Sequence, residues 1–180
     1  MRNGRVKQIT SGALFCALIC VGAFIKIPLP QLPVTMQMFF VLLAGLVLRR
    51  EISVLAVGTY ILLGLAGLPV FASGGGIGYV LMPSFGYMAG FLAAVWVMSF
   101  IVERGAGIHI LIGAVAVGIG VVYAVGIPYF CIITKYVLHI DLSIDYIIKF
   151  CFLAVLPGDI LSGAVAVATG KRLINSAVFS

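Results

Sequence analysis

Charge is scarce in this chain. Asp, Glu, Lys and Arg together make up 9% of its 180 residues while 63% are hydrophobic, which excludes an ordinary soluble domain and points to a polytopic membrane protein. The basic residues behind the net charge of +6 sit at the ends of apolar runs, not along a stripe shared with aromatics, so no nucleic-acid surface is expected. A P-loop is missing too: Gly163 and Gly170 have six residues between them rather than four, and the run continues as Gly-Lys-Arg. There is no Gly-x-Ser-x-Gly with a histidine partner and no second aspartate within the spans, which excludes the usual membrane-protease chemistries. Cys16, Cys20, Cys131 and Cys151 form no CxxC and no cluster with His109 or His139, so no metal is expected. No enzyme activity and no cofactor follow from such a set. No long repeat or inverted pair of broken spans is visible either, which weighs against a self-sufficient secondary transporter.

What is present in quantity is apolar sequence. Runs near residues 9–27, 36–48, 52–70, 85–102, 110–133 and 146–170 predict an all-α protein of six transmembrane helices, forming one integral membrane domain over 1–180. With the amino terminus inside, Arg2, Arg5, Lys7, Arg49, Arg50, Arg104, Lys171 and Arg172 fall on inner segments, and Lys26, Lys135 and Lys149 on outer ones. Both termini are therefore expected in the cytoplasm. Omitting the short second span would put Arg49 and Arg50 on the side of Lys26, so the charge bias supports counting it.

One acid interrupts the last apolar run. An isolated carboxylate at mid-bilayer costs about 2.5 to 3.5 kcal/mol on insertion scales, so Asp159 is expected to face a cavity, a partner or a ligand. Pro157 and Gly158 break the run just before it and place it at the start of a fresh helical turn. Gln37, with Thr35 close by, enters the second span after a proline-rich loop holding Pro28, Pro30 and Pro33, a semi-rigid wall. Its amide brings a donor and an acceptor suited to a neutral, amide-like ligand, although a bond to local backbone would explain it as well. Tyr87 and Tyr123 add phenols at the mouth and in the fifth span. Residues 68–87 mix Gly74, Gly75 and Gly76 with apolar and aromatic side chains; a loop this apolar is tolerated where it packs into protein, so it is expected to fold over the outer mouth as a lid. Ala13 and Ala17, one turn apart on the first helix, form a small-residue face for close helix approach, either within the bundle or to a partner.

Four segments together, Pro33 to Gly45, Gly64 to Phe71, Pro83 to Phe91 and Pro157-Gly158-Asp159, resemble the BioY family, the biotin-binding membrane subunits of energy-coupling factor transporters. The resemblance implies a six-helix substrate-capture subunit of the cell membrane that holds biotin near the outer surface beneath the loop between the third and fourth helices. It implies partners as well: a transmembrane coupling subunit, contacted through the small-residue face that Ala13 and Ala17 match, and two cytoplasmic ATPases. Where the family often has a lysine three residues after the motif aspartate, this chain has Ser162, which can donate a hydrogen bond but cannot neutralise Asp159. The chemistry of the residues suits biotin: Asp159 would accept from the two ureido N–H groups, and Gln37 or Ser162 would donate to the ureido oxygen. At roughly 0.6 to 0.8 kcal/mol for each of about 16 heavy atoms, such a site reaches the nanomolar range. Capture of another small vitamin by the same architecture, or a structural scaffold in which Asp159 only joins helices, are the competing readings.

Overall fold

The computed structural model describes residues 2–27 and 33–176. Pro28 and Pro30 lie outside the described residues. The described residues fold as six helical passes: α1 (Arg2–Phe24), α2 (Gln37–Val47), α3 (Arg50–Leu65), α4 (Phe85–Val102), α5 (Ile108–Tyr136), and a last pass made of a short α6 (Ile144–Ile147), a π-helical stretch (Ile148–Leu153) and α7 (Leu156–Asn175). Four of the six are long and apolar enough to cross a membrane, by length and composition. The other two are α2, with 11 residues and about 16 Å of rise, and α3, with 16 residues and about 24 Å. The third pass therefore stops at Leu65, short of the expected 70. The Gly67 backbone turns left-handed just after it (φ 105°), and no side chain favours that conformation.

The short α2 is the axis of the bundle. Met38, Val41, Leu42, Leu43, Ala44, Gly45 and Leu46 are all buried along it, and it packs against α1, α4 and α7. A helix apolar all round belongs in an interior. The basic chain ends gather at one end of the bundle, where Arg50 pairs with Glu103 at 3.7 Å and Lys171 donates to the carbonyl of Ala106 at 2.8 Å. The N-terminus of α2 and the first turn of α7 lie at the other end.

That second end is closed by two connections. Lys26–Ile27 and Val34–Thr35 pair as a two-stranded antiparallel hairpin (β1 and β2). The α3–α4 connection folds inward, with Phe71, Ala72 and Tyr79 buried and a 3₁₀ turn over Ile77–Leu81. Phe71 sits between Tyr60 of α3 and Tyr79, at ring separations of 5.4 and 4.5 Å. Gly64 makes this seat possible, since a Cβ there would fall inside the Phe71 ring. Gly64→Ala is accordingly expected to destabilise the protein by about 1–3 kcal/mol, read as a lower melting temperature in detergent. Unchanged melting would mean that Phe71 repacks without cost.

Candidate functional site

The proline and glycine before Asp159 do what their chemistry requires. The π-helical stretch ends at Leu153, α7 restarts at Leu156 with Pro157 in its opening positions, and Asp159 falls in the first turn. Its carboxylate is buried, at 5% exposure, and no cation neutralises it: among the described ion pairs none involves Asp159. The Tyr123 hydroxyl donates to Asp159 Oδ2 at 2.6 Å. A carboxylate offers about four acceptor positions, so most of its capacity is left for whatever enters the cavity.

Gln37, at 3% exposure, is fixed at both ends of its amide. Thr35 Oγ1 donates to Gln37 Oε1 at 3.1 Å, and Gln37 Nε2 donates to the Tyr60 hydroxyl at 2.5 Å. Two side chains thus settle which way the amide points, and one N–H and one lone pair remain. Asp159 and Gln37 line the same cavity, whose other walls are mainly apolar: Met38 from α2, Tyr87, Met88 and Phe91 from α4, Val122 from α5. Among the described residues lining it, Asp159 is the only Asp, Glu, Lys, Arg or His. Pro33, Val34 and Thr35 of the hairpin and Ala72, Tyr79 and Ser84 of the α3–α4 connection close its outer side. The free space is about 60 Å³, above the roughly 10–15 Å³ that holds one water.

Tyr87 and Tyr123 come together because glycines let α4 and α5 touch. A Cβ on Gly90 would meet the backbone of Val122, and one on Gly126 would meet the Tyr87 ring. The rings of Tyr87 and Tyr123 stand edge to face at 6.1 Å, and Tyr123 meets Phe152 in the same way at 5.2 Å. Tyr87 lines the cavity and donates to the carbonyl of Cys151 at 3.4 Å; Tyr123 stands behind Asp159 and braces it.

The remaining sequence candidates lie elsewhere. Ser162 is half-buried and outside the lining, because the buried seam of α7 runs through Asp159, Gly163, Ala166, Val167 and Gly170. Gly75 and Gly76 do not touch the cavity. They fold the α3–α4 connection back onto α3, with the Gly76 N–H donating to the carbonyl of Gly64 at 2.7 Å, and a Cβ on Gly75 would collide with the Leu68 carbonyl. Ala13 and Ala17 are exposed and line an apolar groove between α1 and α3 with Gly12, Leu55 and Thr59. They take no part in packing the bundle interior.

Sequence reasoning passed over Tyr60, which is fully buried and orients Gln37, and the apolar wall of Met88 and Phe91. The spacing of Tyr87 and Phe91, one helical turn apart, was the available signal for the wall. Nothing in the sequence singles out Tyr60 from the apolar residues around it.

Comparison with known proteins covers nearly the whole chain. The family model described as "BioY family" matches residues 1–178. A "Probable biotin transporter BioY" of Lysinibacillus sphaericus is 37% identical over 164 residues, which are 89% of this chain and 83% of that protein. The "Biotin transporter BioY" of Thermotoga maritima is 41% identical over 123 residues, covering 68% of this chain and 73% of that protein. Among solved structures, the S-component for biotin from an ECF-type ABC transporter superposes with a TM-score of 0.84 at 25% identity, covering 97% of this chain and 94% of the other.

Proposed function

Because this chain belongs to the BioY family, we propose that it is a biotin-capturing subunit whose site is the cavity between Asp159 and Gln37. The protein is a multi-pass membrane transporter component and not an enzyme. The observation that carries the site assignment is a buried carboxylate held by Tyr123, sharing an apolar-walled cavity with an amide held by Thr35 and Tyr60. Acceptor and donor are both prefixed, so a ligand does not have to order them. Asp159 accepts from the ureido N–H groups, Gln37 donates to the ureido oxygen, and Met38, Met88 and Phe91 cover the thiophane ring and valeryl chain. The location of Ser162 outside the lining favours Gln37 over Ser162 for the oxygen. The site lies at the outer surface of the cell membrane, opposite the end that gathers Arg50, Lys171 and Arg172.

Purified protein in detergent is expected to retain biotin saturably, to hold dethiobiotin more weakly, and to ignore unrelated vitamins. Saturable binding of a different vitamin would reassign the substrate. The absence of any saturable ligand would favour a scaffold in which Asp159 only joins α7 to α5.

Biotin has about 16 heavy atoms, and the cavity it would fill is walled on its outer side by the hairpin and the α3–α4 connection. The hairpin and the α3–α4 connection are therefore the entrance and close over the bound vitamin. Ser84, half-buried on the lining, reports this. With Cys16, Cys20, Cys131 and Cys151 replaced, a Ser84→Cys variant should label with a small maleimide several-fold more slowly in saturating biotin. Equal rates with and without biotin would mean that the loop is only a connector.

Capture alone does not move biotin across the membrane. A membrane-embedded coupling subunit docks on the groove that exposes Ala13 and Ala17, and cytoplasmic ATPases drive release.

A further inference from the structure

We infer that Lys26 is the cation that receives the carboxylate of the bound ligand, so that it sets the preference of this site for an acid over its neutral derivatives. The inference rests on the proposed function and adds a residue to it.

Biotin carries its charge at the end of the chain remote from the ureido ring. The only Asp, Glu, Lys, Arg or His among the described residues lining the cavity is Asp159, also an anion. Placing a second carboxylate beside it in an apolar cavity is strongly unfavourable, since like charges that close disfavour each other's ionisation. With the ureido ring on Asp159, the tail points toward the outer rim, where Thr35, Ala72 and Ser84 supply the wall.

Lys26, itself exposed, stands beside that rim. It pairs directly with Thr35 across the hairpin, and residues directly opposite in an antiparallel pair project from the same face. Lys26 Nζ donates to the carbonyl of Ala72, so the side chain crosses from the hairpin to the α3–α4 connection and lies against a second lining residue. An ammonium has three N–H donors and Ala72 takes one, which leaves two for a carboxylate without breaking the bridge. The other lysines at this end are placed differently. Lys135 lines a separate recess with Asp141, and Lys149 is exposed on the π-helical stretch. Lys26 thus bonds to a residue of the cavity wall.

The test compares biotin with biotinamide, which keeps the ring and chain but has no charge. Wild-type protein should bind biotin about tenfold more tightly than biotinamide, the effect expected of a charged hydrogen bond. Lys26→Gln, which can still donate to Ala72, should bind both ligands alike while keeping the wild-type affinity for biotinamide; Lys26→Arg should keep most of the preference. The inference is overturned if Lys26→Gln weakens both ligands equally, which would make the lysine only a strap between the loops, or if the preference survives in it. It is overturned as well if wild-type protein binds the two ligands alike. Wild-type protein that binds neither overturns the biotin reading itself, a result distinct from all of these.

Discussion

Asp159→Asn is expected to weaken biotin binding at least about tenfold while leaving the protein folded and inserted. The substitution is nearly isosteric, and its amide oxygen can keep the bond that Tyr123 donates at 2.6 Å. Once that oxygen faces Tyr123, the amide presents N–H donors to the cavity, where the carboxylate presented acceptors. Two ureido donors would then meet donors, and the loss of a charged hydrogen bond is worth about 1.5 to 3 kcal/mol. Equilibrium binding to purified variant protein measures this. Unchanged affinity in a correctly inserted Asp159→Asn protein would place the site away from α7.

Replacing Ala13 and Ala17 together by Leu is expected to abolish most uptake into cells while the purified protein still binds biotin. Both residues are exposed on α1, and the groove they line is bounded by α3, away from the cavity of Asp159 and Gln37. Added leucine bulk keeps helix backbones apart where small residues would let them approach. Uptake and co-purification with the coupling subunit should therefore fall together, at normal biotin affinity. Uptake at wild-type level with intact assembly would reject the docking role, and so would loss of biotin binding and stability together, which would trace the effect to the fold.

These two tests draw on features of unequal visibility in the sequence. Asp159 was legible because an acid in an apolar run has few places to go, and Pro157-Gly158 announced the helix start at Leu156. The six passes were legible from hydropathy and the charge bias, whereas the brevity of α2 and the π-helical stretch over Ile148–Leu153 were not. Both depend on tertiary packing: α2 is covered on all sides by neighbouring helices, and a π turn is a register choice with no composition of its own. Ser162 follows Asp159 by three residues and falls beside the buried seam of α7. Three residues advance a helix by about 300°, four by about 400°, and the seam of α7 follows Gly163, which packs on Val115 and Leu42, rather than Ser162. Tyr60 could not be separated from ordinary packing tyrosines until its hydroxyl was found against Gln37.

The grips on the α3–α4 connection have a consequence for redesign. Lys26 holds it through the carbonyl of Ala72, Tyr129 through the carbonyl of Val80, and α3 through the N–H of Gly76. All three use main-chain atoms of the connection, so the side chains at Ala72, Val80 and Ser84 can be varied without cutting an anchor. A library confined to Ala72 and Ser84, which line the cavity, keeps Asp159, Gln37 and their braces untouched and alters only its outer wall. Selection on such a library is a direct route to a carrier for vitamin conjugates with modified chains.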